Sequence, residues 1–213
     1  MQGQSITRNA LLLGLFAMAT ALLLAGSYLL TKDRIAESIR KAEEKALLQI
    51  VPRERHDNSM LDDTIPLNKG ELGLRQDKRI YLARKGPEVI AAIFPATARD
   101  GYSGDIDLVV GVNADGSVAG VRVLTHKETP GLGDAVDLNK SDWVLGFNGR
   151  SLKNPEPARW AVKKDKGVFD AFTGATITPR AVVAATRRVL EYAETNAEAL
   201  YGKRDPIPQG GAE

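Results

Sequence analysis

One run of the chain limits the fold before anything else does. From Asn9 to Leu30 there is no charged residue, and the run is rich in Leu and Ala, with Gly14 and Gly26 inside it. As a helix it spans about 30 Å, the thickness of a bilayer core. Two readings compete for it, an uncleaved single-pass anchor and a cleavable signal peptide. The run is long for the apolar stretch of a signal peptide, and the residues around Ala25-Gly26-Ser27 make a poor cleavage site. With no cysteine in the chain, lipoprotein processing is excluded. We adopt the anchor.

Helical periodicity continues from Thr31 to Val51, with Ile35, Ile39, Ala42, Ala46 and Leu47 as an apolar seam and Glu37 and Lys41 as an i,i+4 pair. The seam can dock on the domain or on a partner subunit; a solvated stalk helix is an equal alternative. Pro52 ends the helix, and Arg53 to Gln76 is polar and turn-rich. Strand patterns begin near Arg79. Arg79–Arg84 and Glu88–Phe94 flank Lys85-Gly86-Pro87 as a hairpin, and Asp105–Val112 and Val118–Thr125 flank a turn carrying Asp115-Gly116. Arg180 to Leu200 supplies a helix that buries Val182, Val183, Val189, Leu190, Ala193 and Leu200. The expected class is α+β: one N-terminal transmembrane helix, then an antiparallel sheet with packed helices. The expected division is an N-terminal segment at 1–8, an anchor at 9–30, a stalk and connector at 31–76, a domain at 77–202 and a loose tail at 203–213.

Composition removes several functions. A net charge of +2, without zinc-finger spacing or an arginine-rich run, gives no footprint for nucleic acid. Zero cysteines exclude cysteine-ligated iron–sulfur clusters, disulfides and a thiol nucleophile. The two histidines, His56 and His126, lie far apart, which disfavours a His-rich metal site or bis-His haem ligation. No dinucleotide fingerprint follows a strand, and no residue stands out as a substrate base or nucleophile. Any electron transfer here calls for a non-metal cofactor.

The most informative local pattern is Asp170-Ala-Phe-Thr-Gly-Ala-Thr176, followed by Ile177-Thr178-Pro179-Arg180. Thr178 suits an N-cap and Pro179 the first helical position. Gly174 and Ala175 leave the backbone bare for close approach, two threonines flank them, and the helix start favours an anion. The combination suggests a phosphate-bearing ligand, one that a threonine can carry; ordinary turn chemistry is the alternative.

Asp170, Thr173, Gly174, Ala175 and Thr176 together resemble the flavin-attachment motif of the FMN-binding domain family. In that family a flavin transferase moves FMN from FAD onto the last threonine as a phosphoester. The resemblance implies covalent FMN on Thr176, with Asp170, Thr173, Gly174 and Ala175 read by the transferase and then framing the phosphate. Over its length the chain resembles the G-subunit family of Rnf-type ion-translocating electron transport complexes. The resemblance is carried by the anchor, Gly101-Tyr-Ser-Gly104, His126-Lys-Glu-Thr-Pro-Gly-Leu-Gly133 and Lys163-Lys-Asp-Lys-Gly-Val-Phe-Asp170.

From that resemblance the loop after the last strand becomes the wall of the isoalloxazine ring. Leu132 is its apolar contact, Glu128 and Thr129 its polar ones, and Gly131 and Gly133 keep its backbone tight. His126 and Tyr102 are assigned to the same surroundings, with a surface histidine and ordinary sheet packing as their alternatives. Trp143 and Phe147 fill the core under these loops. Lys163, Lys164 and Lys166 either offset the phosphate's charge or form a solvated basic loop. The family also implies partners: the other membrane subunits of the complex, and the transferase during maturation. It implies the periplasmic face of the inner membrane, whereas the basic residues Lys32, Arg34, Arg40, Lys41 and Lys45 against Arg8 point to the cytoplasm. The alternatives are the C subunit of the Na⁺-pumping NADH:quinone oxidoreductase and a flavin-binding membrane sensor or adaptor.

Overall fold

The structure is a computed structural model and describes residues 2–202. The tail at 203–213 lies outside the described residues, as do the side chains of Ile39 and Ala42 in the expected seam. The chain divides into two units, Met1–Glu43 and Glu44–Glu213.

Helix α1 runs from Gln2 to Ile50 and stops just before Pro52, whose preceding residue is biased away from helical geometry. In the first unit its large apolar side chains stand uncovered, among them Leu11, Leu15, Phe16, Leu22, Leu24 and Leu30. Arg8–Ile35 is long and apolar enough to cross a membrane. None of its most apolar window is buried among the described residues. The Glu37–Lys41 pair forms at 2.7 Å but is exposed and adds little.

The second unit is built on five antiparallel strands joined in sequence order: β1 Thr64–Leu67, β2 Lys78–Lys85, β3 Glu88–Ala98, β4 Ile106–Asn113 and β5 Val118–Thr125. Both expected hairpins are present. In the β4–β5 turn Gly116 takes a φ of 82°, and Asp115 Oδ1 accepts from the Ser117 N–H at 2.9 Å and its hydroxyl at 2.6 Å. Strand β1 corrects the sequence reading, which starts the sheet near Arg79. It is four residues long, contains Pro66 and pairs only with β2. A proline is tolerated at a sheet edge, where half the ladder is missing anyway, so the local pattern carries little strand signal.

The middle strand β3 is buried on both faces from Ala91 to Ala98. Period-two alternation sends Ala92, Phe94, Ala96 and Ala98 to the main core and Ala91 and Ile93 to a second cluster. Helix α2, Ile177–Thr195, covers the first face with Val182, Val183, Val189, Leu190 and Ala193, and α3, Ala197–Tyr201, adds Leu200. The periodicity of the sequence anticipates each of these. The second cluster is closed by Leu47, Ile50 and Val51 with Met60.

That docking uses two glycines. Gly111 and Gly120 sit opposite each other on β4 and β5, and Ile50 fills the space their missing side chains leave. A Cβ at Gly111 would collide with Ile50 Cγ2, whereas one at Gly120 would lie at an ordinary 3.5 Å. Arg122 holds the same helix end, donating from Nε to Gln49 Oε1 and from a terminal nitrogen to the Gln49 carbonyl, both at 3.0 Å. Gly111→Val is therefore expected to cost about 1–3 kcal/mol by overpacking. Gly120→Ala should be close to neutral. Thermal unfolding of the two variants against the parent checks the contrast.

Candidate functional site

Three segments meet at the start of α2 and enclose a cavity of about 310 Å³. Tyr102 comes from the loop before β4, and Glu128, Thr129, Leu132 and Gly133 from the loop after β5. Gly174, Ala175 and Thr176 come from the motif, and Ile177 and Thr178 from the first turn of α2.

Two tight turns face each other there. Thr129-Pro-Gly-Leu132 is closed by the Leu132 N–H on the Thr129 carbonyl at 3.1 Å, and Phe172-Thr-Gly-Ala175 by the Ala175 N–H on the Phe172 carbonyl at 3.2 Å. Each has glycine at its third position, Gly131 with φ 77° and Gly174 with φ 80°, as a type II turn demands. Any other residue would be strained there. Leu132 reaches across, its Cδ2 3.5 Å from where a Gly174 Cβ would stand.

An aromatic bed holds the motif from below. Trp143 Nε1 donates to the Asp170 carbonyl at 2.9 Å, and the Trp143 ring meets Phe172 and Phe147 edge-on, each at 5.2 Å. Phe147 stacks on Phe169 at 4.4 Å. Such pairs add about 0.5–1.5 kcal/mol each beyond their buried area, enough to fix the turn they carry.

Glu128 ties the wall together. It is 4% exposed; Oε1 accepts from the Ser103 N–H at 2.9 Å and Oε2 accepts from the Thr178 hydroxyl. Its own N–H donates to His126 Nδ1 at 3.1 Å. Gly133 permits the close approach, since a Cβ there would stand 2.8 Å from Thr178 Oγ1 and 2.9 Å from Glu128 Oε2.

The helix start differs from the local reading of the sequence. Helix α2 begins at Ile177, and Thr176 occupies the N-cap position with φ −77°, ψ −25° and no side-chain capping bond. Thr178, expected as the cap, is fully buried in the first turn with its hydroxyl on Glu128. Pro179 is the third helical residue, where its missing N–H is still harmless. A capping rule cannot anticipate a partner 50 residues away. The result is a Thr176 hydroxyl that the helix does not use. It receives a hydrogen bond from Lys164 Nζ at 3.0 Å. The N–H groups of Ile177 and Thr178 have no acceptor inside the helix, and the dipole end favours negative charge.

Of the residues singled out in the sequence, the lining gathers Tyr102, Glu128, Thr129, Leu132, Gly133, Gly174, Ala175 and Thr176. Lys164 stands outside it but reaches Thr176. His126 braces the loop, Gly131 makes the turn, and Thr173 is exposed. The Asp170 carboxylate turns to Lys163 at 2.6 Å. Sequence reasoning misses Ile177 and Thr178, because helix periodicity and capping already assign them. Among the described residues no cluster of His, Asp or Glu is arranged for a metal ion.

The site fits FMN on its own features. The volume, about 310 Å³, is at the low end for small-molecule cavities. Two tight turns face each other, and a hydroxyl that makes no capping bond lies beside a helix start suited to phosphate. These features suit a phosphate-bearing ligand, and the FMN-binding domain family matches residues 101–191, which makes this a flavin-mononucleotide-binding class of domain. The RnfG N-terminal region family matches residues 1–50. The chain is 51% identical over 203 residues to the G subunit of the ion-translocating oxidoreductase complex of Pseudomonas aeruginosa strain UCBPP-PA14, covering 95% of each chain. Identity to the corresponding G subunit of Pseudoalteromonas atlantica is 47% over 199 residues, 93% of each, and to that of Vibrio cholerae 42% over 202 residues, 95% of this chain and 97% of the other. The chain belongs to the family of G subunits of ion-translocating oxidoreductase complexes.

Proposed function

We propose that this chain is the membrane-anchored electron-carrier subunit of an Rnf-type complex, holding FMN through a phosphoester on Thr176. The observation that carries the reading is the Thr176 hydroxyl: at the cavity rim, unused for capping, and beside the free N–H groups of a helix start. Ile177 and Thr178 would bind phosphate oxygens through their N–H groups, with Lys164 offsetting the charge. Leu132 and Tyr102 would cover the ring's apolar part, and Thr129 would meet its polar edge. Asp170 and Thr173, outside the lining, are then surface features for the transferase to read. Bound FMN supplies the electron transfer, and the chain's residues supply position and the exclusion of water. The subunit relays electrons between neighbours and has no substrate chemistry of its own.

The anchor would fix the domain to the bacterial inner membrane beside the other subunits of the complex. We place the flavin domain on the periplasmic side, following the motif resemblance against the flanking charge; a covalent tether suits a compartment where lost FMN is not recaptured. The C-subunit and sensor readings have no observation of their own here. Co-expression with a flavin transferase should give a band that fluoresces under ultraviolet light after denaturation. A dark band, with the transferase active on another substrate, would remove the flavin reading.

A further inference from the structure

The short turn Lys163–Asp165 precedes the motif and is clamped on both sides. Lys163 Nζ pairs with Asp170 Oδ1 at 2.6 Å. Asp165 pairs with Arg180 on α2, accepting from Nε at 2.6 Å and from a terminal nitrogen at 2.7 Å. The hydrogen bonds from Arg180 are the main reason the Asp165 carboxyl is held below its ordinary range, so both partners of this pair are charged throughout the neutral range. Between the two ion pairs stands Lys164. Among the described residues no carboxylate lies within ion-pair distance of its Nζ, which instead donates to Thr176 Oγ1 at 3.0 Å. Thus Lys163 and Arg180 beside the motif are paired with carboxylates, while Lys164 is aimed at the acceptor oxygen.

We propose that Lys164 prepares the Thr176 hydroxyl for modification, by fixing Oγ1 and stabilising the negative charge that develops during attachment. This rests on the covalent-FMN reading. The step forms a bond from Thr176 Oγ1 to the flavin-side phosphorus of a flavin–adenine dinucleotide brought by the transferase. The anhydride bond breaks, adenosine monophosphate leaves with the bridging oxygen, the hydroxyl proton passes to a base of the transferase, and no electrons are exchanged. An ammonium donating to Oγ1 occupies one lone pair and directs the hydroxyl's own proton away from the lysine, towards the incoming enzyme. It also favours the alkoxide-like oxygen of the transition state, and afterwards stands beside the single charge of the phosphodiester. Lys164 touches the reacting atom, so it acts in the chemistry on the acceptor side.

The test is the initial rate of covalent flavin incorporation into the purified full-length chain by a flavin transferase, read as in-gel fluorescence. Lys164→Gln should slow it roughly tenfold or more, the worth of a charge-assisted hydrogen bond at the reacting oxygen. Lys164→Arg should recover most of the rate. Lys166→Gln removes a charge from the same stretch and should leave the rate near that of the parent. Circular dichroism melts establish that each variant is folded. A parent rate for Lys164→Gln, or equal slowing by Lys166→Gln, would overturn the proposal while leaving covalent attachment intact. An unlabelled parent chain, with the transferase active elsewhere, would instead overturn the reading beneath it.

Discussion

Thr176→Ala is expected to abolish covalent flavin, leaving a band that is dark after denaturation while the parent fluoresces. The expectation is sharp because the substitution should cost the fold little. The Thr176 side chain makes no capping bond, and its one hydrogen bond is from an exposed lysine. Stability should change by no more than about 0.5 kcal/mol, so a dark band reports lost chemistry and not lost structure. Thr176→Ser keeps the hydroxyl and should keep the flavin. Thr178→Val would do something different: it removes a buried hydroxyl from Glu128, and its first effect should be on the packing of α2 against the loop after β5. A fluorescent Thr176→Ala band would move the attachment elsewhere.

Asp63→Ala is expected to be the most damaging single change to stability among those considered. Arg84 is buried on β2, and its Nε donates to Asp63 Oδ2 at 2.6 Å, with side-chain exposures of 3% and 12%. Asn58 Nδ2 donates to the same oxygen at 3.0 Å, and Asn58 Oδ1 accepts from the Arg84 N–H at 2.9 Å. One carboxylate therefore joins the segment before β1 to the sheet. Removing it while the buried guanidinium stays should cost about 3 kcal/mol, a fall in melting temperature of roughly 10 °C. The exposed Lys163–Asp170 pair is the control, with side-chain exposures of 61% and 69%. Lys163→Ala should shift the melt by no more than about 1 kcal/mol.

Where the sequence speaks locally, the fold follows it. Asp115-Gly116 makes its turn, Gly86-Pro87 separates two strands, and the Val182-to-Ala193 stripe of α2 lies on the sheet. What it conceals depends on partners far along the chain. Strand β1 is short and holds Pro66, so only its pairing with Tyr81 to Lys78 makes it a strand. Gly111 and Gly120 look like weak points until the register sets them face to face under Ile50. The motif itself is legible, as are Glu128 and Leu132 in the opposite loop, yet the job of Thr178 is not, because Glu128 is its reason. The three lysines before the motif look alike in sequence. In the structure Lys163 is paired with Asp170, Lys166 takes a left-handed turn at φ 64°, and Lys164 meets Thr176.

The central claim is FMN esterified to Thr176, and peptide mass spectrometry of the chain matured with a flavin transferase tests it most directly. Trypsin cutting after Lys166 and Arg180 releases residues 167–180, which hold Thr173, Thr176 and Thr178. The predicted result is this peptide heavier by FMN less one water, with fragment ions placing the added mass on Thr176. An unmodified peptide from fully matured protein, or the mass on Thr173 or Thr178, would contradict the account.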